Sequence, residues 1–435
     1  MAGLVLNPGV KRREAWAWAA FDFANSGYTT VVITAIYSAY FVAVIAGNAP
    51  WATLWWSGAL ALSYALIMLI GPWLGRWVDR GAEQGRLRKK PLLWVTTLVC
   101  ALATLALGEV GPGQMGLAVL FIVISNLAFG TGENLIAAFL PELARGRGLG
   151  RLSGWGWGLG YLGGLLTLLA CLAWVDRGQA LGQTAAGFVP GTLAITAGLF
   201  MLTALPTFIW LRERPLLRPP GVRLPAGLNA LGLNALGLNS LSAFPDLRRF
   251  LLCIVAYQSG VQAVIVLAAI YAQQAMGFDT RQSIMLIAVV NLTAALGAMS
   301  FGVLQDRIGH KASLVITLMG WLLTILMAWA ATEVSLFWVA ANLAGLCLGA
   351  SQSAGRALVG YLSPRAREAE FFGLWGLAVK LSSILGPLLY GAVVWLSDGQ
   401  HRMAMLALAP FFVVGLWLLA GVDLRRGRRS ARRAR

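Results

Sequence analysis

Apolar residues in this chain do not alternate, and they do not keep to one face of a helix. They run on for about 20 positions at a time, long enough as helices to cross a hydrocarbon core of roughly 30 Å. Such runs are too continuous for the alternating strands of a membrane barrel. Only helices and closed barrels satisfy their backbone groups in lipid, so each run predicts a membrane-spanning helix. Twelve are read, at 16–46, 52–75, 91–108, 115–141, 152–175, 191–211, 250–276, 283–304, 312–331, 335–362, 371–396 and 403–423. Trp16, Trp18, Trp51, Trp55, Trp73, Trp94, Trp174 and Trp210 lie near span ends, as an interfacial aromatic belt requires. The first run continues from Trp16 to about Ala46 without a cleavage-like boundary, so no separate leader peptide is expected.

Composition agrees with this reading. Of 435 residues, 58% are hydrophobic and 12% charged, against roughly 25% charged in a soluble domain. The net charge of +17 raises the question of nucleic acid, and its distribution answers it. On the twelve-span topology, 29 of the 34 Lys and Arg residues fall on one side. Three (Arg177, Arg281 and Arg402) fall on the other, and Arg356 and Lys380 lie within spans. The positive-inside rule then puts both termini in the cytoplasm. The Arg-rich tail at 425–435 is expected to meet anionic lipid headgroups, and no nucleic-acid partner is expected. The four cysteines sit in apolar runs and the two histidines, His310 and His401, in predicted loops. No metal site or disulfide framework is expected, and without a Walker loop there is no sign of ATP-driven transport or another cofactor.

The chain divides into a first six-span half at 1–211, a central linker at 212–249, a second half at 250–424 and the basic tail. From Gly227 the linker repeats Gly-Leu-Asn-Ala-Leu with a period of five. That period fits neither helix nor strand, so a partly ordered surface segment is expected, with a short amphipathic helix as the alternative. The halves echo each other. Asn25-Ser26-Gly27 answers Gln258-Ser259-Gly260, Pro141 answers Pro364, and Trp155-Gly156 answers Trp375-Gly376. The expected fold is all-α and integral to the membrane, with twelve helices in two pseudo-symmetric six-helix bundles.

The plainest repeat is Gly-x-x-x-Asp-Arg at the end of an apolar run. Gly75, Asp79 and Arg80 form the first copy; Gly302, Asp306 and Arg307, followed by Gly309 and Lys311, form the second. Glycine allows close helix approach, and an Asp at a membrane edge can accept from helix N-terminal amides. Arg and Lys would then hold the turn to headgroups. The second copy resembles the signature loop of the major facilitator superfamily, whose two parallel six-span repeats enclose a central site. The resemblance implies a latch in which Asp79 reaches the start of the eleventh span and Asp306 that of the fifth, near Arg151. The first copy departs from the pattern, since Gly81 follows Arg80 directly. Three further segments are similar to the vacuole-effluxer-like branch of the superfamily: Trp18 to Ser26, Leu140 to Gly164, and Glu370 to Pro387. That branch includes an autophagy-related amino-acid exporter. Members often carry Asn shortly before the Pro of the fourth span, where this chain has Ala137-Ala138.

Asp22, Glu133, Arg356 and Lys380 lie inside spans. Each costs roughly 2.5–3.5 kcal/mol near a helix centre unless it pairs or meets water. Glu133 and Arg356 each precede a span-ending proline by eight residues, so a Glu133–Arg356 contact between the halves is one expectation. Pairing within each half, or snorkelling to the interface, is the other. Asp22 is read as a proton acceptor or as a structural contact to the neighbouring hairpin or helix ends. Lys380 is read as a partner for a substrate carboxylate or for a proton-carrying acid. Asn25, Asn134, Tyr257, Gln258, Gln262 and Gln352 add uncharged polar groups, suited to a small polar or zwitterionic solute or to helix packing. The function expected is secondary transport of such a solute by alternating access. Amino-acid export is implied by the family resemblance, and proton coupling is an option. A monomer in a bacterial inner membrane is expected. The alternatives are a lipid or lysolipid flippase on the same scaffold and a non-transporting membrane sensor; no enzyme is expected.

Overall fold

A computed structural model describes residues 5–47, 49, 51–214 and 238–433. Among them, twelve helical segments are long and apolar enough to cross a membrane. In the first half these are α1 (Arg12–Ile45), α2 (Ala52–Glu83), α3 (Lys89–Gly108), α4 (Met115–Leu143), α5 (Leu149–Ala180) and α6 (Ala185–Trp210). The second half has α7 (Pro245–Met276), α8 (Thr280–Ile308), α9 (His310–Ala330), α10 (Val334–Leu362), α11 (Glu368–Leu396) and α12 (His401–Ala420). A short amphipathic helix, α13 (Leu424–Arg433), follows. The repeat from Gly227 lies outside the described residues as far as 237, and a 3-10 turn at Leu238–Ala243 leads into α7.

The halves meet along α2 against α11 and α5 against α8, with α4 touching α11 and α10 touching α5. These pairings obey a pseudo-two-fold axis between the halves. The turns α2–α3, α4–α5, α8–α9 and α10–α11, together with α13, share one end of the bundle. That end carries most of the Lys and Arg, and is here called the basic face. Asp423 begins α13 by accepting from the amides of Arg426 (3.0 Å) and Arg425 (2.8 Å). These bonds, the Arg426 amide first, hold its carboxyl below the ordinary range.

Several sequence expectations are corrected here. The Asp-Arg motifs are not turns: α2 continues to Glu83 and α8 to Ile308. Nothing in either motif breaks a helix, and past the hydrocarbon boundary charged residues continue one readily. His310 is not in a loop but begins α9, and Glu368 and Glu370, ahead of the expected span 371–396, already form the first turn of α11. Lys311 bonds the last carbonyls of the α12 region, Ala420 (2.9 Å) and Val422 (2.8 Å), rather than only reaching for headgroups. Trp18 is not in the aromatic belt. It is fully buried and donates its indole N–H to the Ile136 carbonyl at 2.7 Å, whereas Trp16, Trp51, Trp55, Trp73, Trp94, Trp174 and Trp210 are exposed.

Candidate functional site

At the basic face two carboxylates cross between the halves. Asp79, buried on α2, accepts from the amides of Ala369 (3.2 Å) and Glu370 (2.8 Å) at the start of α11. Asp306, on α8, accepts from Gly150 (3.0 Å) and Arg151 (3.1 Å) at the start of α5. Each ends in the positive field of a helix N-terminus. The two copies are equivalent in geometry, although the first departs from the signature pattern.

Glycines make the approach possible. A Cβ on Gly75 would lie 2.3 Å from the Ala369 carbonyl oxygen, and one on Gly154 would lie 2.3 Å from that of Ala298. Gly302 faces Gly150 and Gly154, as Gly71 faces Gly373. Small residues four apart thus line both crossings. Polar links reinforce the closure: Arg145 pairs with Glu368 at 3.2 Å, His310 meets the Gly146 carbonyl at 3.2 Å, and Ser153 donates to the Ser353 carbonyl at 2.9 Å. Arg80, Arg307 and Gly309 are exposed at this face.

Deeper in the bundle are two ion pairs, and both join the halves. Arg356 of α10 lies 2.7 Å from Asp22 of α1, with side chains only 4% and 10% exposed. Its guanidinium also donates to Ser153 Oγ (3.2 Å) and to the Ser153 carbonyl (3.0 Å). It lies over the rings of Trp18 (4.7 Å) and Trp157 (5.2 Å), so charge, hydrogen bonds and π faces all offset its desolvation. Gly156 makes the room: a Cβ there would be 2.5 Å from the guanidinium. The second pair is Lys380 of α11 with Glu133 of α4, at 3.4 Å, with side chains 12% and 23% exposed. Lys380 also faces the rings of Tyr64 (5.4 Å) and Phe129 (5.7 Å). It is long, wetter and more loosely held than the first pair.

The expected Glu133–Arg356 contact is therefore corrected, and so is the alternative of pairing within each half. Equal depth on α4 and α10 does not imply contact. The pseudo-two-fold axis puts equivalent helices on opposite sides, so α4 faces α11 and α10 faces α5. Asp22 meets Arg356 rather than a neighbouring hairpin or helix end.

The uncharged candidates divide. Asn134 fills the space left by Gly376, where a Cβ would come within 2.2 Å of its side chain. Asn25 Oδ1 and Asn134 Nδ2 are buried with no hydrogen-bond partner among the described residues. Gln258 and Gln352 bond each other at 2.6 Å within the second half, and Tyr257 is buried over Gly355. Gln262 is half-buried.

The family described as "Vacuole effluxer Atg22 like" matches residues 149–432, more than half of the chain. The chain belongs to this family. A Bacillus subtilis (strain 168) protein, "Uncharacterized MFS-type transporter YxiO", is 25% identical over 93% of this chain and 94% of its own. "Autophagy-related protein 22-1" of Neosartorya fischeri is 25% identical over 65% of this chain, which spans 49% of that protein's length. Among solved structures, the human organic anion transporter MFSD10 superposes with a TM-score of 0.74 at 13% identity, over 94% of this chain and 99% of its own. The proton:xylose symporter XylE superposes with a TM-score of 0.68 at 14% identity, over 95% and 96%. At these identities the superpositions establish the major facilitator fold. The family is one of transporters, not enzymes.

For this Atg22-like transporter, sequence reasoning missed Ser153, Trp157, Tyr64, Phe129 and Glu142. Ser153 and Trp157 stood within the segment that carries the family resemblance, in the glycine-rich start of α5. Glu142 pairs with buried Lys89. Tyr64 and Phe129 sit in apolar runs with nothing local to mark them.

Proposed function

We propose that this chain exports a small zwitterionic solute, with amino acids the first class to test, by alternating access as a monomer in a bacterial inner membrane. The basic face is cytoplasmic on this reading, so the conformation described is closed to the cytoplasm. The positive-inside distribution supports the sidedness, and the effluxer description of the family supports the direction.

The observation that carries the substrate class is the Lys380–Glu133 pair. A cation and an anion face each other across the halves, partly exposed and weakly engaged at 3.4 Å. A zwitterion can insert between them, its carboxylate on Lys380 and its ammonium on Glu133. The loss of one long ion pair is then offset by two new ones. The ring faces of Tyr64 and Phe129 would bound the ammonium side of Lys380, and the unpaired amide atoms of Asn25 and Asn134 offer further contacts. Asp22–Arg356, the shorter and more deeply buried, serves as the structural pair of the two.

Counterflow of radiolabelled solutes in proteoliposomes tests the reading. Accumulation of one or more zwitterionic amino acids, abolished by Lys380→Ala, is expected. If neutral sugars and organic anions exchange and zwitterions do not, the substrate class is wrong and the transporter remains.

A further inference from the structure

Between the halves at the basic face lies an open cavity of about 560 Å³, its mouth included. Arg145 comes from the α4–α5 turn, Arg365 from the α10–α11 turn, and Arg428 and Arg432 from α13. Tyr361 of α10 and Glu368 of α11 complete the charged and polar lining that matters here. The cavity gathers four guanidinium groups and one carboxylate, and Glu368 is already engaged with Arg145 at 3.2 Å.

The tail is held in this position from one side. Arg426 binds Asp246 of α7 through two bonds of 2.7 Å, and the Asp423 amide donates to the same carboxylate at 2.8 Å. Arg428 donates to the Tyr361 hydroxyl at 3.0 Å and lies over its ring at 4.8 Å. Asp246 and Tyr361 both belong to the second half, so α13 moves with that half. The first half contributes Arg145 from across the cleft. Four guanidinium groups from three segments face the single carboxylate of Glu368, and this excess of positive charge favours an added anion. Planar guanidinium forks are the side chains suited to a tetrahedral oxyanion.

We propose that this cavity binds a phosphate group, and that the bound anion ties Arg145 of the first half to Arg365 and the α13 arginines, holding the basic face shut. The chemistry is that of a phosphate oxyanion, whether carried by a free ion or by a lipid headgroup. Neither the solute carried nor the Lys380–Glu133 pair enters into it.

The test uses the full chain in phosphatidylcholine nanodiscs. Inorganic phosphate is titrated at constant ionic strength, and a parallel sample contains phosphatidylglycerol without phosphate. A saturable rise in Tm of about 2 °C or more in the phosphate arm, lost in Arg428→Gln/Arg432→Gln, assigns a free phosphate. The same rise confined to the phosphatidylglycerol arm, and lost in the same variant, assigns a headgroup. No rise in either arm, or an equal rise in the variant, overturns the site. Arg432 is exposed, so Arg432→Gln alone serves if the double variant folds poorly. Arg145→Gln, on the opposite wall, is expected to weaken phosphate binding about tenfold. The locking role has its own readout, the spin-label distance between Gln84→Cys and Ile308→Cys, both exposed; the native cysteines are buried. Phosphate should narrow this distribution toward the closed distance, and binding without that change overturns the lock.

Discussion

Asp79→Asn tests the closure of the basic face most directly. The wild-type carboxylate accepts from two amides in the first turn of α11, at 3.2 and 2.8 Å. Asparagine keeps the size but offers one acceptor atom, and its NH₂ group then confronts a backbone donor. One bond to a charged acceptor is lost, worth about 1.5–3 kcal/mol, together with about 0.3–1 kcal/mol of charge–dipole attraction. When the halves part the carboxylate is hydrated, so the loss falls on the closed state alone. Taking about 2 kcal/mol as the low end, the closed-to-open ratio should fall about thirtyfold. Asp306→Asn removes the equivalent contact to Gly150 and Arg151 and should act in the same direction. Its effect should be somewhat smaller, because Asp79 is buried and Asp306 only half-buried. The assay is electron–electron resonance between labels on Gln84→Cys and Ile308→Cys. If both Asn variants leave the closed population within about twofold of the parent, these carboxylates do not latch the halves and the energetic reasoning is wrong.

Three further outcomes are expected. Glu133→Lys with Lys380→Glu should recover counterflow lost in either single variant, because the two residues pair with each other; a double variant no better than the singles refutes that pairing as a functional unit. Asp22→Asn leaves Arg356 buried without its counter-charge and should cost about 3–5 kcal/mol, seen as a lowered Tm, whereas an unchanged Tm would mean that Ser153 and the two indoles suffice. Gly75→Ala forces apart α2 and α11, since its Cβ would lie 2.7 Å from Glu370 Cα; it should disfavour closure by about 1–3 kcal/mol in the same resonance assay, while Gly58→Ala, with nothing within 4 Å, should not.

The two Asp-Arg motifs show how far local sequence reaches. That Asp79 and Asp306 would meet the starts of the eleventh and fifth spans followed from the family pattern. That both do so with two amides each, despite the irregular first copy, depends on where α11 and α5 begin. Trp18 is the opposite case. Its place near a span end is that of a belt residue, but α1 is walled in by α5 and α6, and the indole turns inward to Ile136 and Arg356.

The sequence by itself determined the twelve spans, the duplication and the asymmetry of basic charge. These depend on run length, spacing and composition, which survive any arrangement of the helices. It also marked Asp22, Glu133, Arg356 and Lys380 as the costly residues, because a charge in hydrocarbon is costly wherever its helix sits. Their pairing was decided only by the tertiary structure. Asp22 lies 334 residues from Arg356 and Glu133 lies 247 from Lys380, and the axis between the halves sets which helices face each other. These contacts join residues far apart in sequence, so no local signal in the chain records the outcome. The packed contacts of Gly156 against Arg356 and Gly376 against Asn134 do.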